Sequence, residues 1–416
     1  WRDRLAELIF RSQRFVSERF QDMLLSLRDV KRCIDLVEWF LKNLATRNTS
    51  SNPPAWRRWF PGKQFFAEHL REDQIKLRAV LNALAVSYHC RLDTRDLRRA
   101  YRDMIDKTLY ESQTMWLDIR VVEKWTATYD DAVMALLKNE MKLYLIRMEE
   151  VPPHIAANEA LLENVFVMTV CILNRIPVFV VGKPGNSKSL ALRIINTNLQ
   201  GPASASAFWR TQPQVYITSY QGSAVSTSEG ILKVFERARN YRRSNPEGVQ
   251  VVVHFDEIGL AEASPNNPLK VLHALLEPGY PKDRPDEAVV GLSNFPLDAA
   301  KMNRGITLIR PAPIRTDLEE TMSAIMAGSA SKPPWDLLQT LARCYEKYYK
   351  EQEVKDFHGL RDFYALAKSI KVQWQALPRF GWQDKASRLV FDAICRNFGG
   401  LPETSGVIGR DEPFNQ

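Results

Sequence analysis

Short apolar runs in the middle of the chain interrupt a sequence that is otherwise patterned for helices. These runs are Val178–Val181, Val249–Phe255, Ala288–Ser293 and Ile306–Arg310. Continuous apolar runs of this length, rich in β-branched residues, are typical of strands in a parallel sheet that is covered on both faces. We therefore predict an α/β core in which helices flank a parallel sheet.

Apolar residues recur at helical spacing on both sides of this core. Before it, residues 31–150 are mostly helix-periodic, and a helix predicted at Asn158–Asn174 leads into the first strand. After it, apolar stripes predict helices at Thr316–Ala327, Trp335–Tyr349 and Leu360–Val372. The α/β core is thus predicted to follow a mostly helical region and to precede a helical subdomain.

The first strand runs into a segment that is typical of a phosphate-binding loop, Gly182-Lys183-Pro184-Gly185-Asn186-Ser187-Lys188-Ser189-Leu190. It matches the pattern GxxxxGK[ST] at Gly182, Lys188 and Ser189, whereas Ser187 stands where the pattern has glycine. Loop amides and the following helix N-terminus would form an anion site, with Lys188 on the β- and γ-phosphates and Ser189 on Mg²⁺. The alternative is an ordinary strand-to-helix turn with an exposed lysine.

Acidic residues end the next apolar run, about seventy residues further along the chain. Asp256 and Glu257 follow Phe255 at the predicted tip of a strand, an arrangement that resembles a Walker B element. Asp256 is predicted to hold the hydrated Mg²⁺, and Glu257 to act as general base or to orient water. A solvated acidic pair at a strand end is the alternative.

Two further polar residues follow the third apolar run. Asn294 comes directly after it and is the candidate to position the attacking water near the γ-phosphate. The segment Leu297–Gly305 predicts a short helix closed by glycine, which leaves Arg304 at an exposed helix end. Arg304 could stabilise transition-state charge on a neighbouring module's nucleotide, or it could simply satisfy the helix dipole.

Together these motifs resemble the AAA+ ATPase family, and in detail the dynein-like AAA+ modules of giant ubiquitin ligases. The resemblance covers about residues 155–400, includes the segments 256–277 and 359–364, and extends to the serine at position 187. It implies a parallel five-stranded sheet in the order 5-1-4-3-2, a helical lid that closes over the nucleotide, and ATP and Mg²⁺ as cofactors. It also places Arg361 as a second γ-phosphate sensor from the lid, although Arg361 and Asp362 could instead form a surface pair and a helix cap.

The signature around Arg361 occurs twice. Ser26-Leu27-Arg28-Asp29 follows an amphipathic stretch at Leu5–Phe20, as Gly359-Leu360-Arg361-Asp362 follows Trp335–Tyr349. We interpret the first copy as the lid of a preceding AAA+ module, and the start at Trp1 as that of a fragment. The predicted domains are 1–110, the preceding lid with connecting helices; 111–315, the α/β nucleotide-binding subdomain with its leading helices; and 316–416, the helical lid.

The charge and cysteine content argue against a nucleic-acid-binding protein and against a zinc module. The 57 Lys and Arg residues face 49 Asp and Glu residues, so the net charge of +8 is spread over mixed surfaces and we expect no nucleic-acid partner. The sharpest basic run, Arg237 to Arg243, ends a helix that Ser226 is predicted to open, where it would interact with the helix dipole; a pore or interdomain contact is the alternative.

The five cysteines form no CxxC pair, which predicts reduced thiols in a cytoplasmic protein without a zinc module.

Two stretches carry weaker signals. Residues 48–54 predict a polar loop, and its neighbours Trp56 to Phe60 could stack on a base but more typically pack the loop onto helices. The longest apolar stretch, Val165–Val181, is broken by polar residues and proline, so no membrane span is expected.

The resemblance implies an ATP-hydrolysing module that powers or regulates a ubiquitin ligase. Its partners would be adjacent AAA+ modules of the same polypeptide and, through the full-length protein, the ubiquitination machinery. Alternatives are a module that binds nucleotide but hydrolyses little, and a helical interaction scaffold.

Overall fold

A computed structural model describes residues 2–19, 25–46, 70–111, 131–245, 247–277, 286–327, 333–376 and 383–400. The described residues divide into two compact units. The first unit comprises residues 1–150, 162–182 and 188–311, and the second comprises 151–161, 183–187 and 312–416. The polar loop at 48–54 and the aromatic cluster from Trp56 to Phe60 lie outside the described residues. Within the described part of the chain, no helix is both long and apolar enough to cross a membrane.

Helices precede the sheet, as the apolar spacing predicted. They are α1 (Arg2–Ser17), α2 (Leu27–Thr46), α3 (Glu72–Ser87), α4 (Arg95–Glu111), α5 (Ala132–Ile146) and α6 (Glu159–Asn174). A short 3₁₀ turn, His89–Arg91, joins α3 to the segment before α4. Helix α3 is buried from Leu77 to Ser87, because other elements cover all sides of this part of the helix.

The first unit also contains a fully parallel five-stranded sheet in the order β2-β3-β4-β1-β5. This confirms the sheet and the strand order that the family resemblance implied. The strands and their intervening helices are β1 (Val178–Val181), α7 (Lys188–Asn198), α8 (Ala207–Arg210), β2 (Gln214–Gln221), α9 (Ser228–Ser244), β3 (Val249–Asp256), α10 (Ile258–Glu262), α11 (Leu272–Leu275), β4 (Ala288–Ser293), α12 (Ala299–Met302) and β5 (Ile306–Ile309).

Burial on both faces explains why the inner strands are almost purely apolar. Every residue of β1 and of β4 is buried. Side chains such as Phe179, Val253 and Phe255 pack with Phe235 of α9 in one hydrophobic cluster. The edge strand β2, by contrast, has several half-exposed polar positions, and its weaker pattern left its bounds unassigned from sequence.

The helix before β3 corrects one sequence expectation. Its N-cap is Thr227, whose hydroxyl accepts from the Gly230 amide, rather than Ser226, whose hydroxyl accepts from the Ser223 amide. At the other end, Arg242 lies in the last turn, as the dipole interpretation requires, and donates to the backbone carbonyl of Asp286. The basic run thus interacts with the segment that enters β4.

The outer edge of β5 is capped by side chains from the N-terminal helices. In a parallel strand alternate residues direct their carbonyl groups away from the paired strand, and on β5 these carbonyls have no partner among the described strands. Arg91 donates to the carbonyl of Gly305 at 3.3 Å, and Arg98 donates to that of Ile309 at 2.7 Å. Between them, the Cys90 thiol lies 3.3 Å from the Thr307 carbonyl and 2.8 Å from the Val86 carbonyl. Burial raises its pKa to about 11, so the thiol keeps its one proton and can donate it to either carbonyl.

A buried carboxylate holds these capping arginines in place. Glu163 of α6 is 2% exposed, accepts two hydrogen bonds from Arg98 at 2.9 and 3.0 Å, and also pairs with Arg310 just after β5. A carboxylate that is shared by two buried guanidinium groups joins three segments, α4, α6 and the end of β5. This pairing fixes the N-terminal helices to the sheet.

We predict that Glu163→Gln strongly destabilises the first unit. The substitution keeps the shape but removes the negative charge that Arg98 and Arg310 share, and breaking a buried ion pair costs about 3–5 kcal/mol. Urea unfolding followed by circular dichroism measures the loss. The control, Glu111→Gln, breaks a pair with Arg11 in which the glutamate side chain is 45% exposed, and it should cost about 1 kcal/mol or less. Equal losses in the two variants would contradict the role given to Glu163.

The second unit is a helical bundle with its own apolar core. Its C-terminal helices are α13 (Arg315–Met326), α14 (Trp335–Glu351), α15 (Leu360–Gln375) and α16 (Gln383–Phe398). Their buried faces meet around aromatic side chains, including Tyr345, Phe363 and Trp374. The helices predicted after the sheet are confirmed, with ends shifted by a few residues.

The repeated signature forms the same local structure in both places. At the start of α15, the Asp362 carboxylate accepts from the Gly359 amide at 2.8 Å. At the start of α2, the Asp29 carboxylate accepts from the Ser26 amide at 2.9 Å. In each copy the arginine is therefore the second residue of a helix that an aspartate in its first turn caps. The sequence repeat is thus also a repeat of structure.

Candidate functional site

The loop after β1 contains two left-handed residues. Gly185 has φ +91° and Ser187 has φ +55°. Glycine adopts such a conformation freely, whereas a residue with a side chain is disfavoured there by about 1–2 kcal/mol. Ser187 occupies the position where the phosphate-loop pattern has glycine, so the structure shows the conformation that makes glycine the usual choice. Ser187 therefore departs from the pattern in residue type but keeps the loop geometry, and its backbone is locally strained.

Lys188 begins α7 and is turned back into the first unit. The residue is only 8% exposed. Its ammonium group donates to the Gly182 carbonyl and, at 3.0 Å, to the side-chain oxygen of Asn294. The Gly182 amide in turn donates to the Ser293 carbonyl at 3.1 Å, which ties the loop to the end of β4. Two predicted site residues from different strand ends, Lys188 and Asn294, are therefore brought into direct contact.

The acidic pair lies at the carboxyl end of β3, the strand next to β4. Asp256 is the last residue of β3, and Glu257 has a left-handed backbone, φ +49°, at the start of α10. The backbone at Glu257 is crowded, because a Cβ built on Gly222 would lie 2.4 Å from the Glu257 carbonyl oxygen. This tight turn directs the chain away from the sheet immediately after the two carboxylates.

Gln221 is a site residue that sequence reasoning missed. It ends β2 directly opposite Asp256, and its amide nitrogen lies 3.5 Å from the Glu257 carboxylate. The polar edge strand β2 gave too weak an apolar pattern to locate its end. Gln221 could be placed beside the acidic pair only from the register of β2 against β3, which the sequence alone does not supply.

In the second unit, the tip of the predicted phosphate-binding loop packs against the C-terminal helices. The Tyr364 hydroxyl donates to the Gly185 carbonyl at 3.1 Å, and Lys183 pairs with Asp356 at 2.5 Å. A Cβ built on Gly185 would lie 2.6 Å from that of Leu360, the first residue of α15. Arg361 follows Leu360, and its side chain is exposed in the first turn of this helix. The lid candidate Arg361 thus belongs to a helix that touches the loop tip.

Arg304 follows α12 and is held by several contacts rather than standing free at an exposed helix end. Its guanidinium donates to the backbone carbonyl of His273 at 3.0 Å and pairs with Glu277. The side chain is 17% exposed, so the expectation of an exposed arginine is wrong on this point. The ion pair accounts for the burial, since Glu277 compensates the charge.

The donor set at the strand ends fits magnesium chemistry. Ser189 is an exposed residue of the first turn of α7, and Asp256 offers a carboxylate at the end of β3. Hydroxyl and carboxylate oxygens are the ligands that Mg²⁺ takes when it also binds phosphate oxygens. Within the described ranges, no group of three or more His, Cys, Asp or Glu side chains is arranged to hold a metal ion.

Comparison with known proteins identifies the α/β core. A family model described as the RNF213 AAA domain matches residues 154–317. The human E3 ubiquitin-protein ligase RNF213 is 35% identical over 414 residues, which cover 97% of this chain and 7% of the human protein. The chain contains an AAA+ domain of the RNF213 family. The sequence resemblance to the AAA+ modules of giant ubiquitin ligases is thereby confirmed.

A second ligase agrees with this assignment of the AAA+ domain. The rnf213-beta ligase of Danio rerio is 35% identical over 408 residues, covering 95% of this chain and 7% of that protein. Among solved structures, the ORC2 protein of Aeropyrum pernix is 13% identical, and the match covers 62% of this chain and 73% of that one with a TM-score of 0.42. The chain spans about 7% of the length of the ligases that it matches.

We predict that Gly185→Ala weakens ATP binding by about tenfold or more. The alanine must adopt φ +91° and would also press its Cβ against Leu360, and a cost of about 1.4 kcal/mol corresponds to a factor of ten. Calorimetric titration with ATP measures the effect. Gly248→Ala is the matched control, because Gly248 also has a positive φ, +71°, but a Cβ built on it would meet no atom of the described residues within 4 Å. Unchanged ATP affinity in the Gly185 variant would contradict the role of the loop tip.

Proposed function

We propose that this AAA+ domain binds and hydrolyses ATP within an RNF213-like ubiquitin ligase. The contact between Lys188 and Asn294 carries the proposal, because it joins the phosphate-binding loop to the end of β4. Polar residues at the carboxyl ends of neighbouring parallel strands converge on one edge of the sheet, where nucleotides bind in such folds. The family match supports nucleotide binding, and the hydrolytic role is our inference from the residues present.

Each residue at this edge has a proposed part in hydrolysis. Lys188 would neutralise the β- and γ-phosphates, with the loop amides of residues 182–190 around them. Ser189 and Asp256 would hold Mg²⁺, which would neutralise the negative charge that develops on the phosphates. Glu257 would accept the proton of the attacking water, and Asn294 would orient that water.

Two arginines complete the proposal. Arg361, from the first turn of α15, would contact the γ-phosphate of the nucleotide that Lys188 holds. Arg304 would act on the nucleotide of the preceding AAA+ module of the same polypeptide, because it lies beside residues of α2, a helix whose signature repeats that of α15. We accordingly interpret the helices of residues 1–110 as the lid of that module and its connections.

In the longer polypeptide, cycles of nucleotide binding and hydrolysis would drive or regulate conformational change. The adjacent modules would be the direct partners, and the ubiquitination machinery would be engaged by parts of the ligase outside this chain. We place this activity in the cytoplasm, where the sparse and unpaired cysteines stay reduced.

We predict that Lys188→Ala reduces ATP affinity by about 10²-fold or more while the fold is retained. The ammonium group would make close charge-assisted contacts to phosphate, and such contacts are worth several kcal/mol where water is excluded. Calorimetry with ATP and Mg²⁺ gives the affinity, and circular dichroism gives the fold. Lys233→Ala, which alters a lysine that is 68% exposed, should leave the affinity unchanged. ATP binding that is equal in the two variants would remove the phosphate-loop assignment.

We predict that Glu257→Gln separates nucleotide binding from hydrolysis. The amide keeps the shape of the side chain but cannot accept a proton, so turnover should fall by about 10²- to 10⁴-fold while ATP stays bound. Turnover is measured by phosphate release on a polypeptide that also contains both the preceding and the following module. Glu236→Gln, a change at an exposed glutamate of α9, serves as the control. If wild-type protein showed no phosphate release under these conditions, the module would be a nucleotide-binding element instead of an ATPase.

A further inference from the structure

Two arginines from distant parts of the first unit share one carboxylate. Arg28 lies 3.3 Å from the Glu277 carboxylate, and Arg304 pairs with the same Glu277 oxygen. Arg28 belongs to the first turn of α2, whereas Arg304 follows α12, so the chain is folded to bring them together. None of the roles assigned above uses Arg28 or Glu277.

The position of Arg28 is fixed by its neighbours in α2. The Asp29 carboxylate accepts from Arg91 at 2.5 Å, and Arg32 donates to the backbone carbonyl of Arg304 at 2.5 Å. The first turn of α2 is therefore bonded directly to the residue that carries the second guanidinium. Arg28 and Arg304 cannot drift apart without breaking these buried contacts.

Arg304 still has capacity for another acceptor. Its guanidinium donates to the His273 carbonyl and ring nitrogen, both at 3.0 Å, and to Glu277. Its Nε is buried and has no hydrogen-bond partner among the residues that the structure describes. A buried donor that is left unpaired costs free energy, so this arrangement favours an additional anionic acceptor nearby.

Glu277 is a charged and partly exposed partner of the two arginines. Its side chain is 45% exposed, and Arg304 lowers the pKa of its carboxyl, so it is ionised at neutral pH. One carboxylate faces two guanidinium groups, so it does not neutralise both of them. A phosphate group brings more negative charge and more acceptor oxygens than a carboxylate, and arginine forks bind it bidentately.

We propose that Arg28 and Arg304 form a phosphate-binding pair and that Glu277 competes with phosphate for it. The ligand class is the terminal phosphate of a nucleoside triphosphate held by another AAA+ module, and this identification rests on the role proposed above for Arg304. Glu277 acts as an internal anion that keeps both arginines together and must release them before they contact phosphate. It therefore sets how much phosphate is needed to recruit the pair.

Competition by Glu277 controls when Arg304 can reach a neighbouring nucleotide. While Glu277 holds the pair, Arg304 is withheld from a neighbouring nucleotide, and phosphate binding exchanges one ion pair for another without moving either arginine backbone. Because the Glu277 side chain is 45% exposed, its release requires only local rotation of that side chain. Glu277 is thus a regulatory residue that limits access to the arginine pair.

The test measures tripolyphosphate binding by calorimetry at low salt, with the whole chain in a Lys188→Ala background that removes its own phosphate loop. Adding Glu277→Gln should tighten binding by about three- to tenfold, because one competing charge is removed from two partly exposed arginines. Adding Arg28→Ala or Arg304→Ala as well should abolish the gain. Glu229→Gln is the matched control, since it takes the same charge from an exposed pair with Lys233 and should give no gain.

Each outcome decides between the alternatives. An unchanged affinity in the Glu277 variant, the same gain in the Glu229 control, or a gain that persists without either arginine would overturn the proposal. The proposed ATPase role is read separately, from ATP binding to the chain with Lys188 intact and from phosphate release in the longer polypeptide after Arg304→Ala. Tripolyphosphate results as predicted, with phosphate release unaffected by Arg304→Ala, would refute the role in hydrolysis and leave the arginine pair standing.

Discussion

The unpaired carbonyl edge of β5 is the constraint on which the first unit depends. A buried edge strand must have its outward carbonyls satisfied, and here Arg91 and Arg98 of the N-terminal helical region supply donors, with the Cys90 thiol lying between them. Because the buried Glu163 holds Arg98, the helices and the sheet are joined by charge as well as by apolar packing. In the same region α2 lies beside Arg304. A structural requirement of the sheet thus also positions residues that are proposed to contact phosphate.

The parallel sheet gathers the candidate catalytic groups by a second constraint. Strands that run in one direction end at one edge, which brings Lys188 to Asn294 and Gln221 to Glu257 although they are far apart in sequence. Left-handed residues at Ser187 and Glu257 turn the chain sharply at these ends. These two residues place backbone strain at the edge where chemistry is proposed, as is common at functional sites.

Much of this architecture could be predicted from the sequence, because local patterns determine it. The apolar runs of β1, β3 and β4 and the stripes of the C-terminal helices located those elements to within a few residues. The cap of α9 was misplaced by one residue, since Ser226 and Thr227 are equally good caps in isolation and only tertiary contacts choose between them. The ion pairs of Glu163 and Glu277 join residues far apart in the chain, and no local pattern signals them.

The central claim is that Lys188 holds the nucleotide of this AAA+ domain while Arg304 serves a different one. A crystal structure of the chain with Mg²⁺ and a non-hydrolysable ATP analogue tests both parts at once. The account predicts triphosphate density around the ammonium group of Lys188, with Asp256 facing the metal and the Arg304 guanidinium making no contact with that triphosphate. A γ-phosphate hydrogen-bonded to Arg304 in the same pocket, or a triphosphate bound away from Lys188, would contradict it.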